Sequence, residues 1–571
     1  MGEHDVRAAV FVWMLAGILT VVGCGGEPQA PPEPLAPGAP AEPSVSQAPS
    51  PPLPEPVPET RAVPAWPPVD ATRFITASGR RFIDTEGREI LLHGVNVVDK
   101  SPERNYLSWH SEADFARLRD WGMNVIRLGI IWDGLEPEPG VYDDAYLAAM
   151  DQRVAWAANH GLYVFLDMHQ DLYSVLYSDG APEWATLTDD QPHIDRGDVW
   201  SDAYLTSPAI QRAFENFWAN APASDGLGIQ DHYAAAWRHV AERYADHPAV
   251  IGYDLMNEPF PGTAILRGQS LMIGKAAELL RARLGDTAPT AGEIIAMWLN
   301  ADERGQLMRY MDDLDFYRQI VDASAAAYEE FEKTHLMGMY QRVTDAIREV
   351  DTNHIIFMEA NYASNMGLYS HIQPLMGPDG RRDAQQAYAP HGYDIVVDTP
   401  QLARASNARV EFIFTRHRET AERLDMPMLV GEWGAFGGHG ADVVPAAWGV
   451  VDVFETLGCS DTYWEYGKYL PGAAYLPALQ RAVPVRLAGT LVAYDNDLIA
   501  GSFTCTWLED PNITAPTILY IPASLDAANK TVTLTPDGSP YTTEAAAERS
   551  PNQYYVIPPA GQAAERTLTI R

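Results

Sequence analysis

The sequence predicts an α/β protein, a (β/α)8 TIM barrel that is followed by a small C-terminal β-sandwich. From Val69 onward, eight short apolar runs recur between longer amphipathic segments. Polar residues gather at the carboxyl ends of these runs, and after Tyr475 the pattern changes to short alternating segments between turns. Strands that alternate with helices form parallel sheets, and eight such units close into a barrel.

The eight strand signals are rich in aliphatic, β-branched or aromatic residues, as buried parallel strands require. In chain order they are ILLHGVN from Ile90, MNVIRLGI from Met123, GLYVFLDMH from Gly161, AVIGYDLMNE from Ala249, HIIFMEA from His354, AYAPHGY from Ala387, PMLVGEW from Pro427 and DTYWEY from Asp461. Among the intervening segments, 112–122 and 145–161 end at a glycine and 230–248 ends at a proline, which are helix-stop signals. We therefore expect residues 69–474 to form the barrel.

Residues 475–571 are expected to form the β-sandwich. Segments such as PTILYIPASL and KTVTLTPDG alternate apolar and polar residues and are separated by turn residues. We favour a packing role for this domain, because no cluster of exposed aromatic residues marks a binding surface in it.

The N-terminus resembles an export signal. Residues 8–24 carry no charge, and this stretch is too short to span a membrane but suits a signal sequence. Its end, VVGC, resembles a bacterial lipobox, in which the cysteine becomes the lipidated first residue. We expect 1–24 to be a lipoprotein-type signal with lipidation at Cys24, and the protein to be exported and anchored to a membrane or extracellular. An ordinary secretory signal stays open, since Arg7 is the only basic residue before the apolar stretch.

The composition of the chain indicates a disordered linker and disfavours one class of binding partner. Residues 25–68 are dominated by Pro, Ala and Glu, a composition that predicts a disordered linker. The whole chain of 571 residues is 46% hydrophobic, which suits a globular protein, and its net charge of −37 disfavours nucleic acid as a partner. Besides Cys24 only Cys459 and Cys505 are present, and the sequence leaves their pairing open.

Polar residues lie at the carboxyl ends of the predicted strands, where a barrel of this type carries its active site. They are Arg127, His169, Asp171, Asn257, Glu258, His391, Tyr393, Glu432 and Trp464. Two of them, Glu258 and Glu432, are carboxylates on the fourth and seventh strands. Such a pair can hydrolyse a glycosidic bond, with Glu258 as the acid/base and Glu432 as the nucleophile. Arg127 would help to keep Glu432 ionised. We expect Glu359 and Glu465, also near strand ends, to be structural.

The motifs DLMNEP around Glu258 and LVGEWG around Glu432 resemble those of glycoside hydrolase family 5, a retaining (β/α)8 family. NVIRLGIIWDGLEPEPGVYD and YAPHGYD strengthen the resemblance, which spans about residues 74–470. DMHQDLYS, SPAIQRAFENFWAN and IQDHYAAAWRHVAERY resemble the endoglycoceramidase branch, whose members cleave the bond between the glycan and ceramide of glycosphingolipids. The resemblance implies that substrate-binding residues are Lys100, Arg127, His169, Asp171, Asn257, His391, Tyr393 and Trp464.

Residues 261–334 form a long, largely helical insertion relative to that branch. The insertion follows the fourth strand, so we expect it to rise over the active-site face. Its apolar residues include Met272, Met297, Met308 and Met311, and flexible methionine side chains suit lipid tails. A lid or aglycone-binding arm is one interpretation. A helical hairpin that packs its apolar stripe on the barrel is the other.

The leading hypothesis is thus a retaining β-glycosidase that acts on a glycolipid, without cofactor or metal. A β-glucosidase on steryl or other small glucosides, or an endo-β-glucanase, shares the catalytic pair and differs in the aglycone pocket. A non-catalytic carbohydrate-binding lipoprotein is the alternative of another class, and the presence of both carboxylates disfavours it. The expected partners are a glycolipid or glycoside and a membrane surface. No metal-ligand spacing such as HExxH occurs.

Overall fold

The computed structural model describes residues 72–571 except 196–199, 378, 400, 498, 537–538, 546–553, 559 and 562–563. The predicted signal with Cys24 and the predicted linker at 25–68 lie outside the described residues. Within these described ranges, no helix combines the length and apolar character needed to cross a membrane.

The predicted (β/α)8 barrel is confirmed. Its strands are β1 His93–Val97, β2 Val125–Ile131, β3 Tyr163–His169, β4 Val250–Asp254, β5 Ile355–Met358, β6 Gln386–Tyr388, β7 Leu429–Val430 and β8 Ser460–Tyr463. They pair in parallel in the order β7-β8-β1-β2-β3-β4-β5-β6. A parallel bridge between Tyr388 and Met428 closes the ring. Beyond β6 and β7, His391–Gly392 pairs in parallel with Glu432–Trp433, so the closure continues up to the carboxyl ends of the strands.

Helices follow most strands and cover the barrel. They are α1 Glu112–Asp120, α2 Trp132–Leu135, α3 Asp144–Asn159, α4 Asp202–Thr206, α5 Pro208–Trp218, α6 Ile229–Tyr244, α7 Ala264–Leu284, α8 Ala291–Leu299, α9 Ala301–Met311, α10 Leu314–Ser324, α11 Met337–Arg348, α12 Asn407–Leu424, α13 Val444–Leu457 and α14 Leu476–Leu479. The three helices predicted from glycine and proline stops lie within a few residues of α1, α3 and α6.

An apolar plug fills the end of the barrel opposite the carboxyl ends of the strands. Ile75 and Phe82 come from the segment before β1 and are buried against barrel residues. The Phe82 ring lies 6.1 Å from that of Phe357 on β5, which in turn lies 5.0 Å from Phe165 on β3. Because this end is filled by apolar side chains, the open end of the barrel is the one where the polar residues gather.

Two antiparallel sheets form the C-terminal part of the protein. The first contains Val483–Leu487, Ile518–Ile521, Tyr554–Ile557 and Thr542–Ala545, and the second contains Gly489–Asp497, Ser502–Glu509, Glu565–Ile570 and Val532–Thr535. The first sheet also takes in Thr76–Ser78, Arg81–Ile83 and Glu89–Ile90, since Ile90 pairs with Arg486. The sequence prediction assigned residues 76–90 to the barrel, because strand pairing over such a distance leaves no local signal. Cys459 and Cys505 are both buried and unpaired.

The insertion folds as four helices, α7 to α10, with a small core of its own. The core is formed by Ala276, Leu280, Ile294, Leu307, Phe316 and Ile320. Of the four methionines, Met308 is buried, and Met272, Met297 and Met311 are partly buried against this core. Leu266 and Leu271 on α7 remain exposed, at 41% and 39% of their surface.

Polar contacts join the insertion to the barrel. The Tyr317 hydroxyl on α10 donates to the Met366 carbonyl over 2.7 Å, and Asp312 accepts from Arg409 on α12 over 2.8 Å. Arg409 is buried and also pairs with Asp394. The insertion is therefore fixed to the loops that follow β5 and β6.

A buried ion-pair network joins the barrel to the C-terminal sheets. Arg481 donates to Asp461 on β8 over 2.7 Å, and Asp461 also contacts His93 on β1 at 3.0 Å. Burial raises the pKa of Asp461, but Arg481 and His93 outweigh it and lower the pKa to about 2. Glu455 accepts from the Asn496 backbone over 2.8 Å. The position of the second sheet on the barrel depends on these contacts.

Replacement of Arg481 should test this network. Arg481→Met leaves Asp461 buried with a reduced complement of positive charge, and we expect the free energy of unfolding to fall by about 3–5 kcal/mol. Urea denaturation followed by circular dichroism measures this loss. Arg80→Met is the matched control, since the Arg80–Glu422 pair is half exposed and such pairs contribute about 0–1 kcal/mol. Equal loss in the two variants would contradict the assigned role of Arg481.

Candidate active site

The predicted site residues all lie at the open end of the barrel. Arg127 is on β2, His169 ends β3, and Asn257 and Glu258 follow β4. His391 and Glu432 are direct partners in the parallel pairing beyond β6 and β7. Lys100, Asp171, Tyr393 and Trp464 lie in the segments after β1, β3, β6 and β8.

Arg127 lies at the centre of the site, and its side chain is fully buried. Its guanidinium donates to Glu432 over 2.7 Å and to Asp254 over 2.8 Å. It also pairs with Asp167 at 2.9 Å and with Glu359 at 3.0 Å. Burial lowers the pKa of Arg127, but these carboxylates outweigh it and raise the pKa well above its usual range. One permanent cation thus contacts four carboxylates.

Both oxygens of Glu432 accept hydrogen bonds. Oε1 accepts from Arg127, and Oε2 accepts from the Tyr393 hydroxyl over 2.8 Å. Burial raises the pKa of the Glu432 carboxyl, while the positive charges of His391 and Arg127 oppose that rise. Donors that fill both oxygens stabilise the ionised form. The hydrogen bonds therefore favour the negative charge on Glu432, despite the cost of its burial.

Glu258 is held differently. Its Oε1 accepts from the Asn365 amide over 2.6 Å and lies 3.0 Å from Nδ1 of His391. No hydrogen bond to its Oε2 occurs among the residues that the structure describes. The backbone of Glu258 has a left-handed φ of 45°, and its N–H donates to Glu359 over 2.9 Å. The free Oε2 is thus the oxygen that can carry a proton and donate it.

His391 lies between the carboxylates. Its Nδ1 is 3.5 Å from Glu432 Oε2, and its Nε2 is 3.1 Å from Glu359 Oε1. Burial lowers the pKa of His391, but Glu359 and Glu432 outweigh it and raise the pKa well above its usual range. An oxygen of Glu258 lies within 4.8 Å of an oxygen of Glu432. That separation matches the short spacing, about 5 Å, that distinguishes retaining from inverting carboxylate pairs.

Cations and an aromatic ring lie beside this pair. His169 Nδ1 is 2.7 Å from Asp167 Oδ2. Burial lowers the pKa of His169, but the negative charge of Asp167 outweighs this effect and raises the pKa to about 10. Lys100 pairs with Asp171. Burial raises the pKa of Asp171, but the positive charge of Lys100 outweighs this effect, and the pKa falls to about 2. The Trp464 ring stacks on His169 at 5.2 Å, and the Lys100 ammonium lies 4.6 Å from that ring.

Asn257 is partly engaged by the protein. Its Oδ1 accepts from Arg127 over 3.1 Å, and its Nδ2 donates to the Gln170 carbonyl over 3.0 Å. An amide nitrogen carries two hydrogens, so one N–H is left for a ligand such as a sugar hydroxyl.

A cavity of about 320 Å³ adjoins Lys100 and Asp171. Its walls also include Tyr177, His193 and Trp200. Trp200 is 44% exposed, and its indole N–H donates to Asp398 over 2.9 Å. Aromatic rings interleaved with polar groups are suited to sugar rings and their hydroxyls.

Several residues of the site were not identified from the sequence. Asp167 and Asp254 lie inside strands β3 and β4. A carboxylate within an otherwise apolar run was the sequence signal that could have identified them. Glu359 was expected to be a structural group, and it pairs with Arg127 and His391 and accepts from the Glu258 backbone. Asn365 carries no motif and contacts Glu258 only because of the turn after β5. Burial raises the pKa of Glu465, and the positive charges of Lys100 and His169 oppose that rise. Glu465 therefore lies near both cations.

Among the residues that the structure describes, three groups of buried histidines and carboxylates are close enough to hold a metal ion: His169, Asp171 and Asp179; Asp254, Glu359 and His391; and Glu258, His391 and Glu432. Each group includes a carboxylate that pairs with Lys100 or Arg127. The positive charge at these positions is supplied by the protein's own side chains.

Comparison with known proteins matches this geometry to a family. The cellulase (glycosyl hydrolase family 5) profile matches residues 83–469, and the profile of the glycoside hydrolase family 5 C-terminal domain matches residues 481–571. An endoglycoceramidase of Cyanea nozakii is 36% identical over 239 residues, 37% of this chain and 46% of that protein. The chain thus spans less than half the length of this curated relative.

Solved structures of endo-glycoceramidase II from Rhodococcus sp. are similar over a larger share. A lactosyl-enzyme intermediate has a TM-score of 0.64 and 28% identity, and a complex with ganglioside GM3 has a TM-score of 0.64 and 26% identity. Each match covers 86% of this chain and 99% of the Rhodococcus chain. Together with the two family profiles, the fold and the pair of carboxylates at the open end of the barrel lead to one conclusion: the chain belongs to glycoside hydrolase family 5.

Proposed function

We propose that this protein is a retaining β-glycosidase that cleaves the bond between the glycan and ceramide of glycosphingolipids. The observation that carries the proposal is the arrangement of Glu258 and Glu432, whose carboxyl oxygens approach within 4.8 Å at the open end of the barrel. A separation near 5 Å lets one carboxylate attack the anomeric carbon while the other protonates the leaving oxygen.

The reaction would proceed in two displacements. Glu432 attacks the anomeric carbon as the bond to the ceramide oxygen breaks, and Glu258 transfers its proton to that oxygen, which leaves as ceramide. A water molecule then attacks the glycosyl-enzyme ester, and Glu258 accepts the proton of this water. Two inversions release the glycan with retained configuration and regenerate both carboxyl groups.

The environment of each carboxyl suits its step. Burial raises the pKa of Glu432 to about 7, and the hydrogen bonds from Arg127 and Tyr393 to its two oxygens favour the ionised form that attacks. As it forms the ester its charge is lost, and the cation His391 can then pair more fully with Glu258 and Glu359. Glu258 keeps Oε2 free of protein donors within the described part of the chain, so that this oxygen can approach the leaving group.

The choice of a glycolipid as substrate is supported by the cavity beside Lys100. Its 320 Å³ lie beside Lys100 and Asp171 and reach His193 and Trp200, which gives room for a glycan of more than one sugar. The ganglioside complex of the Rhodococcus enzyme belongs to a protein that is similar over 86% of this chain.

Removal of each carboxylate tests the catalytic roles of Glu258 and Glu432. Glu258→Gln and Glu432→Gln should each lower kcat/KM for release of intact oligosaccharide from glycosphingolipids in detergent by at least ~10³-fold. Chromatography of the released glycan and ceramide measures the reaction, and the exposed Glu242→Gln serves as the control. Azide should restore turnover of an activated aryl glycoside by Glu258→Ala, because azide needs no general base.

Two outcomes would count against this proposal. Normal turnover in either glutamine variant would overturn the mechanism. Release of glucose alone from simple glucosides, with no glycan released from glycosphingolipids, would assign the protein to the small-glucoside alternative.

We further propose that Cys24 carries a lipid anchor that holds the enzyme at a membrane surface. The support is the VVGC sequence and the linker of Pro, Ala and Glu that would separate the anchor from the barrel. In a bacterial host, Cys24→Ser should move the protein from the membrane fraction to the soluble fraction and abolish incorporation of labelled palmitate. Absence of label from the wild-type protein, together with unchanged membrane association of Cys24→Ser, would contradict lipidation.

Exposed leucines at the start of α7 are proposed to contact the ceramide. Leu266 follows Glu258 by eight positions in the chain and lies in the first turn of α7. Partial burial of two leucines by lipid contributes about 1–2 kcal/mol, so Leu266→Ser with Leu271→Ser should raise KM for glycolipid by about 10-fold. KM for a water-soluble aryl glycoside should stay unchanged. The exposed Val492→Ser is the control, and equal KM values for glycolipid in both variants would leave the insertion without a lipid contact.

A further inference from the structure

We propose that Asn365 is a positioning residue that selects Oε2 of Glu258 as the proton-donating oxygen. The inference deepens the proposed function and rests on it. Asn365 Nδ2 donates to Glu258 Oε1 over 2.6 Å. The unprotonated oxygen of a carboxyl group is the better acceptor for an amide N–H, so this contact favours the acid proton on the other oxygen.

Glu258 has a strained backbone, and Asn365 is one of the residues that fix its position. Glu258 adopts a φ of 45°, which is unfavourable for a residue with a side chain. Its N–H is fixed by Glu359 Oε2 over 2.9 Å, and its Oε1 is approached by His391 at 3.0 Å. Asn365 is the neutral donor among these contacts, so it can hold Oε1 in both protonation states of Glu258.

The turn that carries Asn365 is itself rigidly held. It spans Tyr362–Met366 and begins at Asn361, whose side chain accepts from the Ala363 N–H. Asn361 donates from its amide to Glu332 over 2.7 Å, and Glu332 is fully buried. The turn ends at Met366, whose carbonyl accepts from Tyr317 of the insertion over 2.7 Å. Both ends are therefore fixed by residues outside the turn.

The same residue also reaches the nucleophile. The Asn365 carbonyl accepts from the Tyr393 N–H over 3.1 Å, and the Tyr393 hydroxyl donates to Glu432 over 2.8 Å. Asn365 thus sets the side chain of the acid directly and the position of a nucleophile donor through its backbone. A side-chain substitution removes the first contact and keeps the second, which makes the two effects separable.

The test compares leaving groups. Protonation by Glu258 matters for an alcohol such as ceramide and little for dinitrophenolate, which departs unprotonated. Asn365→Ala and the isosteric Asn365→Asp should lower kcat/KM for a glycolipid or alkyl glycoside by about 10²-fold, and for the dinitrophenyl glycoside by less than about 3-fold. Tyr317→Phe should show a smaller loss with the same selectivity. Asn216→Ala, whose amide donates to Leu187 outside the site, is the control.

Two results would overturn the proposal. Equal losses of kcat/KM on both substrates would mean that Asn365 only supports the fold. Unchanged kcat/KM on both substrates would mean that Glu258 needs no positioning. Wild-type protein that hydrolyses neither substrate would instead overturn the proposed function. Circular dichroism of the variants separates misfolding from these cases, and Asn365→Asp retains the shape of the side chain if the alanine variant is unstable.

Discussion

The site depends on one constraint: a single guanidinium at the centre of the barrel contacts four carboxylates. Asp167, Asp254, Glu359 and Glu432 all lie within 3.0 Å of Arg127. One positive charge cannot balance four buried negative charges, so the site needs further cations or bound protons. His169 and His391 supply the cations, while burial raises the pKa values of Asp254, Glu359 and Glu432.

A retaining pair needs one carboxylate that attacks and one carboxyl group that carries a proton on the oxygen facing the leaving group. Both oxygens of Glu432 accept hydrogen bonds, which oppose the rise that burial causes in its pKa, whereas both contacts to Glu258 are at Oε1 and leave Oε2 open. The division of roles therefore follows from how the donors are distributed over the two oxygens of each carboxyl group more than from the depth of burial, since both side chains are buried.

The fold and the two carboxylates at the open end of the barrel could be predicted from the sequence because their signals are local. A buried strand that ends in Asn257 and Glu258, or in Glu432, is visible in a few consecutive residues. The supporting contacts were not accessible in this way. Glu359 and Asn365 act through geometry that the turn after β5 creates, and residues 76–90 join a sheet whose other strands begin near residue 483. Contacts between distant segments leave no periodicity in either segment.

The insertion supports the site through its polar contacts. Its methionines left lipid contact and packing on the barrel both open, and their side chains are buried or partly buried. Tyr317 donates to the turn that carries Asn365, and Asp312 accepts from Arg409 on α12, which pairs with Asp394 next to Tyr393. The insertion follows Glu258 in the chain, so the position of the loop that carries this residue depends on how the insertion is supported. The bonds from α10 and from the α9–α10 junction provide that support, so the same segment can approach the aglycone and hold the acid in place.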